Sequence, residues 1–189
     1  KLADFSVEIN KFEGDYIFCV ITFFVMIHLE KINKNQLPIV KDLAYAIWPS
    51  AYREILSAEQ LNYMLDNFYS IENLENQMDK GQVFELLFED SNVVGFVAYE
   101  LNCNETGLLK IHKIYLLPET QGKGFGKFMI DEVIKIAKSN QQKGVFLNVN
   151  KYNNAQFFYE KLGFTITKDE VIDIGNDYVM DDYVMELLF

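Results

Sequence analysis

One short segment constrains this chain more than any other, because it places glycine at every second position. The segment Gln121–Gly126 lies between a predicted strand, Leu108–Leu117, which Pro118 ends, and a predicted helix, Phe125–Lys138. Alternate glycines allow positive φ angles and leave the backbone N–H groups unobstructed by side chains. The helix that follows adds unpaired N–H groups and the positive end of its dipole. The unit therefore predicts a strand, loop and helix that cradle a pyrophosphate.

Two common nucleotide-binding loops do not fit this spacing. A Walker A loop would have glycine in place of Gln121 and serine or threonine in place of Phe128. A dinucleotide-binding loop has two residues between its second and third glycines, whereas a single residue separates Gly124 from Gly126. A glycine-rich loop alone is also compatible with a simple tight turn, so the remaining sequence has to decide.

The composition indicates one folded domain. The chain has 189 residues, of which 50% are hydrophobic and 24% charged, as in globular proteins and unlike disordered tails. The net charge of −11 argues against a nucleic-acid partner. Cys19 and Cys103 are too few for a disulfide framework, and no cysteine and histidine have zinc-site spacing. We therefore expect no metal and a reducing compartment, the cytoplasm.

The apolar run near the N-terminus does not predict a membrane span. Tyr16–Ile27 is uncharged, but it is shorter than the ~20 residues that a helix needs to cross a bilayer. No clear basic segment or cleavage site marks it as a signal peptide. Its β-branched and aromatic residues favour a buried strand. We predict that residues 1–25 are an extension dispensable for the chemistry and that residues 26–189 form the functional domain.

The rest of the chain predicts alternating strands and helices. After a first strand, Pro38 begins a helix that should end near Trp48–Pro49, and Ser57 opens a second helix with a capping box. The later predicted elements are strands Val83–Phe88, Val93–Leu101 and Leu108–Leu117, helix Phe125–Lys138, strand Val145–Val149, helix Asn154–Leu162, and strands Thr165–Ile174 and Tyr178–Leu188. This order predicts a single α+β domain with a central mixed, mostly antiparallel sheet and about four flanking helices.

Two segments resemble one enzyme family. Ile114–Gly126 resembles the acetyl-CoA-binding motif of the GCN5-related N-acetyltransferases, whose Gln/Arg-x-x-Gly-x-Gly/Ala positions are matched by Gln121, Gly124 and Gly126. Asn154–Phe164 resembles the helix and following strand entry of the same family. The resemblance covers residues 26–189. It implies the acyl-CoA N-acyltransferase fold, with acetyl-CoA as the cosubstrate.

The resemblance also implies which residues bind the cosubstrate. The glycine loop and the first helical turn would hold the CoA pyrophosphate, through Gln121, Gly122, Lys123, Gly124, Phe125, Gly126 and Lys127. The strand edge at Ile114, Tyr115 and Leu116 would pair with the pantetheine arm. Tyr152 stands where the family usually has a CoA-contacting asparagine, so Asn153 or Asn154 would take that role.

Two catalytic roles follow from the same resemblance. The Leu116 N–H would polarise the thioester carbonyl, as in an oxyanion hole. Tyr159 would donate a proton to the departing CoA thiolate, and its position favours this role over the alternative, packing in the core beside Phe157 and Phe158. The implied reaction transfers acetyl to a primary amine by direct attack in a ternary complex. The alternative is a non-catalytic acetyl-CoA-binding sensor or regulatory module.

The sequence alone does not identify the general base or the acceptor. The candidate bases are Glu100, Glu119, Asp181, Asp182 and His112, each of which is also compatible with an ordinary surface or hydrogen-bonded role. The acceptor cleft would be formed by Trp48, Tyr52 and the acidic stretch Gly175–Asp182. Aromatic and acidic walls suit a cationic amine of a small molecule or peptide. Equally, the acidic residues could simply keep an exposed hairpin at the edge of the sheet soluble. We expect no membrane partner and consider a homodimer compatible with the sequence.

Overall fold

A computed structural model describes residues 2–3 and 25–189 of the chain. Eight strands and five helices follow one another in this part. They are β1 Leu2–Ala3, β2 Val25–Lys31, α1 Leu37–Tyr52, α2 Ala58–Tyr69, α3 Ile71–Asp79, β3 Val83–Glu89, β4 Asn92–Glu100, β5 Leu109–Leu116, α4 Phe125–Ser139, β6 Gly144–Asn150, α5 Ala155–Lys161, β7 Thr165–Gly175 and β8 Tyr178–Leu188.

The strands form one sheet in the order β1-β2-β3-β4-β5-β6-β8-β7. Antiparallel pairing joins β1 to β2, β2 to β3, β3 to β4, β4 to β5, β6 to β8 and β8 to β7. Only β5 and β6 are parallel among the described strands, because the long helix α4 carries the chain back across the sheet between them. The predicted α+β domain with a mixed, mostly antiparallel sheet is confirmed.

Helices cover both faces of the sheet. On one face, α4 and α5 bury an apolar core that includes Met129, Val133 and Phe164. On the other face, α1, α2 and α3 bury a second core around Trp48 and Phe96.

Two helix predictions are wrong in detail. Three helices, not two, precede β3, because Ser70 has extended backbone angles and its hydroxyl accepts a hydrogen bond from the Asn73 N–H, which ends α2 and caps α3. In addition, α1 does not end near Pro49 but continues to Tyr52. The rings of Trp48 and Tyr52 pack 4.7 Å apart, and this packing outweighs the helical hydrogen bond that proline cannot donate.

The N-terminal prediction lies largely outside the described residues. Of the predicted strand Tyr16–Ile27, only its last three residues fall within β2. The backbone of β1 pairs with the start of β2, Leu2 opposite Met26 and Ala3 opposite Val25. That residues 1–25 are dispensable stays a prediction.

Candidate active site

The sheet opens between β5 and β6. These parallel strands pair only from Leu109 opposite Val145 to Ile111 opposite Leu147, while β5 continues alongside β4 as far as Leu116. Within residues 25–189, no strand pairs with the remaining edge of β5. This edge can therefore accept an extended molecule as an added strand.

The direction of the backbone shows which N–H groups face this opening. The Leu117 N–H donates to the Val94 carbonyl of β4 at 2.9 Å. Because successive N–H groups along a strand point to opposite edges, those of Leu116 and Ile114 point away from β4 and into the opening. Tyr115 lies between them, and its N–H points to β4. Of the three predicted residues, Tyr115 therefore contributes its side chain to the site, whereas Ile114 and Leu116 contribute their N–H groups.

The glycine loop follows at the end of this strand. Gly122 and Gly124 have φ angles of 79° and 82°, and a Cβ atom at either position would meet no heavy atom within 4 Å. The first hydrogen bond of α4 runs from the Phe128 N–H to the Gly124 carbonyl at 3.0 Å, and no side chain of the described residues caps this helix. The N–H groups of the loop and first turn are thus open to an anion.

Gly126 has a different role from the two loop glycines. A Cβ atom there would lie 3.2 Å from Cζ of Phe158 and 3.8 Å from Cδ1 of Leu116. Its lack of a side chain therefore lets the start of α4 approach β5 and α5 closely. The loop lysines form exposed ion pairs, Lys123 with Glu89 at 2.8 Å and Lys127 at 2.7 Å with the acid four residues along α4, which a phosphate could replace at small cost.

Aromatic side chains from two elements meet beside the opening. The hydroxyls of Tyr52, at the end of α1, and Tyr115, on β5, lie 3.1 Å apart. The ring of Trp48 packs against both, with centroids 4.7 and 5.9 Å away. Burial, followed by the adjacent Tyr115 and by the carboxylate of Asp182, raises the pKa of the Tyr52 hydroxyl. Asp182 lies on β8, where Met180, two residues earlier and on the same face of the strand, packs against the core that also holds Tyr52 and Tyr115.

Tyr159 lies on α5 and belongs to the core on the other face of the sheet. Its ring packs edge-on against Phe158 and Phe164, with centroids 5.3 and 5.8 Å away, and the residue is 8% exposed. Burial, and next the nearby Tyr52, raises the pKa of the Tyr159 hydroxyl. The hydroxyl therefore stays protonated at neutral pH.

This geometry agrees with comparisons to known proteins. Residues 53–185 match the family model of the acetyltransferase (GNAT) domain. The chain belongs to the GNAT family.

Individual relatives agree with this result. The chain is 30% identical over 164 residues to a spermidine N(1)-acetyltransferase of Thermoplasma acidophilum, covering 82% of this chain and 96% of the relative. It is 30% identical over 110 residues to a ribosomal protein bS18-alanine N-acetyltransferase of Haemophilus influenzae, covering 58% and 70%. Among solved structures, a PaiA N-acetyltransferase of T. acidophilum in complex with coenzyme A is similar with a TM-score of 0.72 and 26% identity, covering 87% of this chain and 99% of that one.

The GNAT chain is an acetyl-CoA-dependent N-acetyltransferase. Its own residues fit the cosubstrate at two places. The unpaired edge of β5 presents the N–H groups of Ile114 and Leu116, and the loop around Gly122 and Gly124 leaves open space in front of its backbone. These are the features that an extended amide-containing arm and a pyrophosphate require.

The structure separates the candidate bases of this GNAT site. Asp182 is 6% exposed, and burial, followed by Asp181 and Glu170, raises its pKa to about 6. Asp181 instead forms an ion pair with Lys151 at 2.7 Å, and Glu119 is exposed in the loop after β5. A general base works best when its pKa lies close to the working pH, and the raised pKa of Asp182 meets this condition. Asp182 is therefore the strongest candidate.

The other two candidate bases are engaged with each other. Glu100 and His112 lie 2.9 Å apart between Oε2 and Nε2. Burial, followed by Lys110 and Lys113, lowers the pKa of His112 to about 3. A histidine with so low a pKa accepts protons poorly, and both residues lie on strands β4 and β5 away from the glycine loop.

The asparagines before α5 differ in availability. The side chain of Asn153 accepts a hydrogen bond from the Ala155 N–H at 2.9 Å, which fixes the turn into the helix. Asn154 is exposed and makes no side-chain bond to the helix end. Tyr152, at the position of the usual asparagine, is 75% exposed. Asn154 therefore has the freer amide for a contact with CoA, although both stay predictions.

Proposed function

We propose that this N-acetyltransferase acetylates a cationic primary amine of the polyamine class by direct attack in a ternary complex. The observation that carries the proposal is the buried carboxylate of Asp182 on β8, two residues from Met180, which packs against the same core as the hydroxyl-paired Tyr52 and Tyr115. A cation is attracted to a poorly solvated carboxylate and to aromatic faces. The same carboxylate can then remove its proton.

The walls of the cleft support a cationic acceptor. The β7–β8 hairpin folds over α2, where the Tyr63 hydroxyl donates to the Ile174 carbonyl at 2.7 Å and the Gln60 amide donates to the Val179 carbonyl at 3.2 Å. The hairpin also places Glu170 beside Asp182, because these residues are opposite each other on β7 and β8. The hairpin thus brings acidic residues of β7 and β8 to the face of the sheet that carries the aromatic residues of α1.

The proposed reaction uses residues of four elements in turn. Asp182 takes a proton from the ammonium of the acceptor, directly or through the hydroxyl of Tyr52, and the freed lone pair attacks the thioester carbonyl carbon. The N–H of Leu116 stabilises the negative charge that develops on the carbonyl oxygen. The carbon–sulfur bond then breaks, and Tyr159 protonates the departing thiolate. Cys103 is 4% exposed, so it does not favour a route through an acetylated cysteine.

A panel of amines tests the class of acceptor. We expect the kcat/KM for spermidine to be at least about tenfold higher than that for an alkyl monoamine of equal length. The reason is that the additional positive charges of spermidine are attracted to the acidic residues. Raising the salt concentration should reduce this ratio. The relative that acts on ribosomal protein bS18-alanine makes a peptide with N-terminal alanine the competing substrate, and turnover with that peptide alone would overturn the polyamine proposal.

Replacing Tyr159 with phenylalanine tests the proton donor. We expect kcat to fall by about 100-fold, with the dissociation constant of acetyl-CoA unchanged within about twofold, because the ring keeps its contacts with Phe158 and Phe164. Steady-state kinetics and calorimetric titration measure the two quantities. Tyr99→Phe is the matched control, since Tyr99 lies in the same core but bonds to Glu85 instead. A loss of affinity with normal kcat would limit Tyr159 to packing.

We also propose the cytoplasm as the compartment. The support is the small number of cysteines, which include no disulfide framework. In the described residues, none of the helices has both the length and the apolar character needed to cross a membrane.

A further inference from the structure

Three potential metal ligands meet at the start of β5, remote in the fold from the glycine loop. Glu100 ends β4, Cys103 lies in the following turn, and His112 is on β5. One ligand atom from each lies within 4.8 Å of the other two. The closest approach is the 2.9 Å between Nε2 of His112 and Oε2 of Glu100.

The backbone holds these side chains together before any ligand binds. Strands β4 and β5 pair antiparallel, with Glu100 opposite Lys110. The turn between them is fixed at Cys103 on both sides, since its N–H donates to the Leu108 carbonyl at 3.1 Å and its carbonyl accepts from the Thr106 hydroxyl at 2.8 Å. The turn therefore holds the Cys103 thiol beside the β4–β5 hairpin with little conformational freedom. The three ligand groups are thus close together before a metal binds.

The distances suit a small divalent cation. Metal–ligand distances of about 2.0–2.3 Å place the ligand atoms of a tetrahedral zinc site about 3.3–3.8 Å from one another. The three atoms here already lie within 4.8 Å, so small side-chain rotations would bring them into position. Thiolate, imidazole and carboxylate are also the ligand types that zinc prefers.

Burial and the ligand charges agree with such a site, which has to outweigh the repulsion from the nearby Lys110 and Lys113. Cys103 is 4% exposed, whereas the side chains of His112 and Glu100 are 17% and 26% exposed. The thiol is thus shielded while one side remains accessible to a fourth ligand such as water. The carboxylate and the thiolate together would neutralise a divalent cation, and the imidazole would bind it as a neutral ligand.

We propose that Glu100, Cys103 and His112 form a binding site for a divalent cation of the zinc class. On binding, the thiol releases its proton to solvent and the imidazole keeps a single proton, on Nδ1. The bound cation connects the end of β4, the turn and β5, so it would stabilise the strand whose far end presents the N–H groups to the thioester.

Cobalt titration of the metal-free protein tests the site directly. We expect Co²⁺ to bind one-to-one, with a thiolate-to-cobalt charge-transfer band in the near ultraviolet and visible bands of tetrahedral intensity, and Zn²⁺ to displace it. Zn²⁺ should also raise the melting temperature, because it binds the folded state selectively. Absence of a charge-transfer band in the folded wild-type protein would overturn the proposal.

The chain provides matched controls, because it contains only two cysteines and two histidines. Cys103→Ser and His112→Gln should each weaken Zn²⁺ binding by at least about 100-fold, since even outer-shell partners are worth 10- to 100-fold. Cys19→Ser and His28→Gln should leave binding unchanged. Circular dichroism verifies that each variant is folded. Loss of the cobalt band in Cys19→Ser, with the band kept in Cys103→Ser, would place the metal elsewhere and contradict the site.

Discussion

Replacing Asp182 with asparagine will lower kcat by about 100- to 1,000-fold, because the acceptor ammonium then has no carboxylate to receive its proton. The amide has nearly the same shape as the carboxylate, so the dissociation constant of acetyl-CoA should not change. In the wild-type enzyme the rate should rise with pH through about 6, the value to which burial, Asp181 and Glu170 raise the pKa of Asp182. This acidic limb of the pH–rate profile should disappear in the variant.

The same substitution should stabilise the fold. The pKa of Asp182 is raised from 3.8 to about 6 in the folded protein, so the native state binds this proton more tightly than the unfolded state does. This tighter proton binding stabilises the folded state in full below pH 3.8, and the stabilisation is lost as the pH rises through about 6. At pH 8 the buried charge costs up to about 3 kcal/mol, and asparagine avoids it. We expect Asp182→Asn to be about 1–3 kcal/mol more stable at pH 8, with no gain at pH 4.

Asp181→Asn is the matched control for both measurements. Asp181 is the neighbour of Asp182, but it is more exposed and forms an ion pair with Lys151 at 2.7 Å. Its loss should reduce stability slightly, as expected for a surface ion pair, and change kcat by less than about tenfold. If Asp182→Asn keeps wild-type kcat and the acidic limb of the profile, the base lies elsewhere and the mechanism has to be revised.

The part of the site that is contiguous in sequence could be predicted from the sequence. The glycine loop belongs to a single strand–loop–helix unit, so Pro118 and the alternate glycines predict where it lies. The role of the Leu116 N–H is implied only by the resemblance to the family. Most strands were predicted within a few residues for a similar reason, because each is a short apolar run bounded by a local turn signal. The break at Ser70 was missed since this serine lies within a continuous apolar pattern and only its backbone conformation reveals the cap.

The rest of the site depends on pairing between distant segments. Asp182 was one of several acids in an acidic stretch, and only its position opposite Asn150 on the inner strand β8, with the burial that follows, distinguishes it from Asp181. The cluster around Cys103 was likewise missed, because eight residues, which include a turn, lie between Cys103 and His112 in the sequence. Their contact results from the β4–β5 hairpin, which no spacing rule for metal sites contains.

Replacing Gly124 with glutamate will raise the dissociation constant of acetyl-CoA by about 1,000-fold or more, which corresponds to about 4 kcal/mol. The new carboxylate would lie where the loop N–H groups meet the pyrophosphate, and like charges repel strongly at this distance. The backbone cost is separate. Gly124 has a φ angle of 82°, so any side chain costs about 1–2 kcal/mol of stability.

Gly81→Glu isolates that backbone cost. Gly81 has a φ angle of 103°, and a Cβ atom there would also meet no heavy atom within 4 Å, but it lies between α3 and β3, outside the loop. Both glutamate variants should therefore lose similar stability in thermal melts, while only Gly124→Glu loses affinity in a calorimetric titration with acetyl-CoA. Gly124→Lys, which has similar bulk and the opposite charge, should bind at least about tenfold more tightly than Gly124→Glu. If the two Gly124 variants bind acetyl-CoA with equal, reduced affinity, the bulk of the side chain and not its charge prevents binding. If both bind with wild-type affinity, the pyrophosphate does not bind at this loop.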